Sequence, residues 1–218
     1  WLKFGLFTVG LGQSFVFVLV PPLARDLGLS EVQTSSIFAI SAVAWALTSA
    51  FWGRASDRYG RRNIAILGLI GYAISLIALI TPLFLAEKNI LNLTLLFPAL
   101  VLGRLINGLL GSATRPASFA YVADITTKEK RTVKFARMES SFLVGTVVGP
   151  LIGGFLFLIT KETPFYLFSF LAMIAAIGIY FNLEPSDRSY KKNNDKSKIK
   201  WYSQTIWPFL TVAAVLSL

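Results

Sequence analysis

Gly53-Arg54-Ala55-Ser56-Asp57-Arg58-Tyr59-Gly60-Arg61-Arg62 stands between two long apolar runs, roughly residues 34–53 and 63–86. Half of the stretch is charged, and Asp57 is the single acid among four arginines. Read as a loop, it is tight. Gly60 suits a turn that needs positive φ, and Gly53 leaves room for another backbone to come close. Asp57 is placed to accept charge-assisted hydrogen bonds from an arginine or from a helix N-terminus. Two readings stand side by side. In one, the arginines anchor the loop on one side of a membrane and Asp57 is incidental. In the other, Asp57 belongs to an ionic latch.

The flanking runs decide the fold class. A bilayer core about 30 Å thick needs about 20 mostly apolar residues per crossing helix. Six segments qualify, roughly 3–24, 34–53, 63–86, 94–122, 138–160 and 164–183. The 218 residues are 55% hydrophobic and only 15% charged, with a mean hydropathy of +0.64. The expected fold is an all-α membrane protein, with residues 1–183 forming a six-span bundle. Residues 184–205 read as a polar, basic central loop on the cytoplasmic side, and a further apolar run covers 206–218. Thirteen residues rise about 20 Å as helix, too short to cross. The expectation is therefore that this run is the start of a seventh helix and that the chain is part of something longer.

The net charge of +10 is distributed by side. The loops after the first, third and fifth spans hold Arg25, Lys88 and Lys161, three basic residues in all. The loops after the second, fourth and sixth hold fifteen, running from Arg54 to Arg62, Lys128 to Arg137 and Arg188 to Lys200. By the positive-inside rule, the N-terminus and the even loops are cytoplasmic in a multi-pass protein of the cytoplasmic (inner) membrane. The basic surplus is thus a topology signal and not a nucleic-acid footprint. Cysteine and histidine are both absent. That removes disulfides, thiolate chemistry, His metal ligands and the commonest general base. No enzyme, metal site or cofactor is expected, since no nucleophile–base pair or ligand cluster stands in the sequence.

Polar residues inside the spans are few and patterned. Arg104, Asn107, Gly108, Gly111, Ser112 and Arg115 share one face of the fourth span. An arginine near the bilayer centre costs from about 3 to more than 10 kcal/mol, so Arg104 should face water, protein or substrate. Arg115 is nearer the cytoplasm, beside Pro116, and reads as structural. Gly145, Gly149 and Gly153 repeat every four residues in the fifth span, with Pro150 and Gly154 beside them. They offer a flat strip for close helix packing, either in a static bundle or at a moving interface. Leucine at Gly149 is expected to wedge that contact and alanine to be much milder. In the first span, Gln13 and Phe17 are candidates to line a cavity.

Three of these stretches carry a family resemblance. G-x-x-x-D-R-x-G-R-R between the second and third spans resembles the second-loop motif of the major facilitator superfamily, at every fixed position. R-x-x-x-G-x-x-G from Arg104 resembles its fourth-span motif. G-x-x-x-G-P-x-x-G-G from Gly145 to Gly154 resembles the fifth-span signature of its drug:proton antiporter branch. The Leu11-Gly12 and Pro21-Pro22 pairs resemble the first-span motif of drug exporters more loosely.

The resemblance implies two six-helix halves, of which this chain would supply the N-terminal one and the start of helix seven. It implies a conformational latch from Gly53, Asp57, Arg58, Gly60, Arg61 and Arg62, with Asp124 as a third charged member. It implies a cavity lined by the first and fourth spans, with Gln13, Phe17, Arg104, Asn107 and Ser112 toward substrate or coupling ion. The second and fifth spans would meet the opposite half, through Gly145, Gly149, Pro150, Gly153 and Gly154, while the third and sixth face lipid. The implied function is secondary active export of a small organic molecule by rocker-switch antiport, with a proton as the coupling ion. The alternatives are a symporter importing a metabolite and a non-transporting sensor or assembly partner.

One feature departs from that branch. No Asp or Glu lies inside the apolar stretch of any span, Glu139 standing at the very start of the fifth. Either the proton is carried in the other half, or Glu139 reaches the cavity from the start of the fifth span, or the coupling ion is not a proton.

Overall fold

The computed structural model describes residues 1–185. The expected central loop, apart from its first two residues, and the run at 206–218 lie outside the described residues. The described chain is helical almost throughout. It forms α1 (Leu2–Asp26), α2 (Glu31–Tyr59), α3 (Arg61–Glu87), α4 (Leu93–Leu109), a 3-10 turn (Gly111–Ala113), α5 (Thr114–Asp124), α6 (Lys128–Phe157) and α7 (Thr163–Asn182). Taking α4, the turn and α5 as one span, six helices are long and apolar enough to cross a membrane. The expected spans are all present.

Their ends differ from the sequence reading. Each hydrophobic estimate stops where side chains turn polar, but the backbone does not. α2 runs on to Tyr59, and α6 starts at Lys128, well before the expected 138. Charged residues are good helix formers, and helix ends reaching headgroups and water need no apolar face. The ten-residue loop of the opening stretch is therefore helix except for Gly60, whose φ of 94° turns the chain alone. At the other end of the bundle, Gly28 with φ 96° helps turn α1 into α2. There Ser30 and Gln33 form a reciprocal capping box.

The fourth span is broken, which the stripe of Arg104 to Arg115 did not suggest. The signal was Pro116. A proline inside a continuous helix would remove the bond to the carbonyl four residues back and clash with it. Breaking at Gly111–Ala113 puts Pro116 in the first turn of α5, where its missing N–H has no helical partner anyway. The carbonyls freed by the break are taken up by α2. Thr48 Oγ1 is 2.9 Å from the Gly108 carbonyl, and Trp52 Nε1 donates to the Leu109 carbonyl. In an apolar medium such groups must be satisfied within the protein.

Packing organises the bundle into pairs. α1 lies along α6 and also touches α7, α2 lies along α4, and α3 is held by α4, α5 and α7. Phe15 of α1 meets Phe165 and Phe168 of α7 edge-on, at ring-centroid distances of 5.0 and 5.4 Å. More than half of the apolar window of α3 is buried, leaving an outward strip at Ile74, Ile77 and Thr81. α3 is thus more enclosed than a lipid-facing helix was expected to be. α2 and α6 are the most open, with Val43, Leu47 and Phe51 on one and Val147, Leu151 and Phe155 on the other all exposed.

Candidate functional site

At the Gly60 turn, three helix ends meet on one buried guanidinium. Arg61 is only 7% exposed. Its Nη2 is 2.6 Å from the Asp57 carboxylate one turn back, its Nε donates to Asp124 of α5, and its Nη1 donates to Ser56 Oγ at 3.2 Å. The planar fork reaches all three partners because its donors diverge, which an ammonium on a flexible stem cannot imitate. Asp57, Arg61 and Asp124 are therefore brought together. The remaining residues of the opening stretch are not part of that cluster. Arg58 is exposed and lies over the Tyr59 ring at 5.5 Å. A Cβ on Gly53 would meet open space, so no described backbone comes close there. Arg62 turns toward the end of α7, donating to the Leu183 carbonyl at 3.0 Å and stacking over Tyr180 at 5.2 Å. A cation at a helix C-terminus is favoured by the helix dipole.

Deeper in the bundle, Arg104 is buried at 4% exposure. Its guanidinium carbon is 5.6 Å from the Phe17 ring of α1 and 5.1 Å from the Phe38 ring of α2. The two rings stack on each other at 5.0 Å. Its Nε has no hydrogen-bond partner, and no carboxylate pairs with it among the described residues. Two aromatic faces thus stand where an acid would be expected, contacts worth about 2 kcal/mol or more when desolvated. Phe17 is half exposed, so this cluster reaches the open side of the bundle.

The other expected cavity residues divide. Gln13 is half-buried and makes no side-chain hydrogen bond among the described residues. Asn107 is buried, with its carboxamide oxygen against Gly111. Ser112 is 1% exposed, with Oγ 2.9 Å from Thr48 Oγ1 and 3.2 Å from the Leu109 carbonyl. Those hydrogen bonds serve the helix break. Phe38, Ser41, Thr48 and Trp52 were not singled out from sequence. A signal existed for three of them: Ser41, Thr48 and Trp52 fall on one face of α2, the face that binds the α4 backbone.

The glycine strip of α6 is occupied from within the bundle. A Cβ on Gly145 would run into the Phe7 carbonyl oxygen, one on Gly149 into the Leu11 carbonyl oxygen, and one on Gly153 into the Phe15 ring. Gly10 of α1 answers from the other side, where a Cβ would strike the Phe142 carbonyl. These three glycines therefore pack on α1 within this bundle. Gly154 has open space around it, and Pro150 is half-buried. Alanine at Gly149 has no gentle place either, because its neighbour is backbone and not a side-chain tip.

Arg115 and Glu139 join α5 to α6. One guanidinium nitrogen lies 2.8 and 2.6 Å from the two carboxylate oxygens, and the guanidinium also covers the Phe142 ring at 4.6 Å. Because α6 begins at Lys128, Glu139 sits well inside a helix and not at its start.

Comparison with known proteins agrees across the chain. The family model described as Major Facilitator Superfamily matches residues 2–218. "Multidrug resistance protein 1" of Bacillus subtilis (strain 168) is 26% identical over 213 residues, covering 98% of this chain and 52% of that protein. "Multidrug resistance protein 2" of the same organism is 28% identical over 217 residues, covering 97% and 51%. "Quinolone resistance protein NorA" of Staphylococcus aureus (strain MRSA252) is 25% identical over 217 residues, covering 100% and 53%. The chain spans about half the length of the curated relatives it matches.

Proposed function

The chain belongs to the major facilitator superfamily of membrane transporters, and from that premise we propose that it forms one half of an exporter of small, drug-like organic molecules. Transport runs by rocker-switch alternating access against a second six-helix half. The exchange is antiport, with a proton as the coupling ion. The N-terminus and the even loops are cytoplasmic. The open apolar faces of α2 and α6 suit contact with the other half.

The observation that carries this reading is Arg104. An intramembrane arginine is costly and is a functional site by default. Here it is buried without an acid, against two aromatic rings whose outer edge is open. Such a wall takes flat, partly apolar molecules on Phe17 and Phe38 while Arg104 supplies one directed charge. The relatives named for multidrug and quinolone resistance support that class. The test is uptake of a fluorescent planar drug into everted membrane vesicles carrying the intact protein, with an imposed proton gradient. Gradient-dependent accumulation that is lost in Arg104→Ala supports the proposal. Accumulation only in right-side-out vesicles would make the protein an importer.

Glu139 is the acid best placed to exchange protons within this half, since it bridges α5 and α6 beside α1. Its replacement by Gln is expected to uncouple transport from the gradient while leaving drug binding in place. Equal gradient dependence in Glu139→Gln would move coupling elsewhere.

A further inference from the structure

The geometry points to a binding site for an anionic phospholipid at the ends of α1, α5, α6 and α7, on the side that carries the even loops. A cleft of about 630 Å³ opens there, lined by Lys3, Lys130 and Lys134 together with Tyr121, Val122 and Met138. Lys130, Lys134 and Met138 fall at successive i+4 positions of α6, so they share one face. Along that face the two ammonium groups are exposed and Met138 is 2% exposed, with Val122 of α5 also buried. The cleft is therefore charged at its mouth and apolar at its base. None of the three lysines enters an ion pair among the described residues.

That gradient selects the ligand. A phosphate ester satisfies the lysines, but a soluble phosphate leaves the apolar base in water. An anionic lipid places its phosphate among the ammonium groups and its first acyl carbons against Met138 and Val122. The level is right as well: the cleft lies where the helices end, at the depth of headgroups on the topology proposed above. Juxtamembrane lysines draw anionic lipids to the cytoplasmic leaflet, and each contributes about a fivefold factor to binding.

The test is native mass spectrometry of the intact, detergent-solubilised protein titrated with phosphatidylglycerol. Phosphatidylcholine serves as the neutral comparison and glycerol 3-phosphate as the headgroup alone. Wild type is expected to retain phosphatidylglycerol in preference to phosphatidylcholine. Lys130→Gln with Lys134→Gln should weaken that binding about 25-fold, while Lys88→Gln at the opposite end leaves it unchanged. Both lysines are exposed, and an unchanged melting temperature of the double variant verifies folding. Wild-type retention in the double variant would overturn the site, as would loss of equal size in Lys88→Gln. If glycerol 3-phosphate displaces the lipid at equal concentration, the cleft is a soluble-anion site and the lipid assignment is wrong. Binding is read without transport, so the result stands apart from the exporter reading.

Discussion

Arg104 and Arg61 are both buried arginines, yet they solve burial in opposite ways. Arg61 spends its fork on two carboxylates and a hydroxyl, so its charge is locally neutralised. Arg104 keeps its Nε unbonded and leans on two rings. A group left incompletely satisfied in a low-dielectric site is available to a ligand. Arg104→Lys should therefore lower drug flux at least about tenfold, because a compact ammonium cannot cover two stacked rings. The variant should still reach the membrane, and flux in proteoliposomes measures the loss. Near-normal flux with lysine would mean that only the charge matters. Phe38→Ala should weaken drug binding at least about threefold with little effect on expression, by removing one of the two faces; equilibrium quenching of the bound drug reads it. The sequence exposed Arg104 through its cost, but Phe38 was invisible, since one more aromatic in an apolar run carries no pattern.

At the scale of helices, α1 and α6 approach each other closely. Gly10 on one side and Gly145 and Gly149 on the other let backbones touch, and each glycine faces a carbonyl of the partner. Overpacking such a contact costs about 1–3 kcal/mol. Gly149→Ala should therefore lower the melting temperature of the purified protein measurably, and Gly149→Leu should prevent its accumulation. Gly154→Ala, with open space around it, is the internal control and should melt as wild type. Equal melting of Gly149→Ala and Gly154→Ala would refute the close approach. The repeat of four was legible as a packing strip because small residues at that spacing have one common use in lipid. Which helix fills the strip was not legible, because a glycine pattern names no partner. The broken fourth span shows the same limit from another side. A stripe drawn at helical spacing across Gly111 to Ala113 assumes the continuity it is meant to test, and only Pro116 spoke against it. Span ends were misread for a simpler reason: apolarity stops at the headgroups, and helix does not.

For the whole molecule, the decisive equilibrium on the proposed mechanism is between inward-open and outward-open states, and the cluster at Gly60 is the element placed to bias it. Arg61 joins the end of α2 to the end of α5 through Asp57 and Asp124. An isolated surface ion pair contributes little, about 0–1 kcal/mol. This one differs in that its guanidinium is buried while both acids remain 40–49% exposed. Screening reduces their share, but removing an acid leaves Arg61 buried and short of a partner. A shift of about 1–3 kcal/mol between two states changes their ratio about 5- to 150-fold. Asp57→Asn preserves shape and removes charge, and it should leave topology intact because acids count little in the positive-inside rule. Turnover should fall, and a single cysteine placed in the outer mouth should react with a membrane-impermeant maleimide at a changed rate. Asp124→Asn should move labelling in the same direction, since both acids bear on one guanidinium, and the double variant should shift less than the sum of the two. Labelling and turnover equal to wild type in both variants would leave the arginines of the opening stretch as topology signals. Opposite shifts from the two variants would show that Asp57 and Asp124 are loaded in different states, with Arg61 exchanging between them as the halves rock.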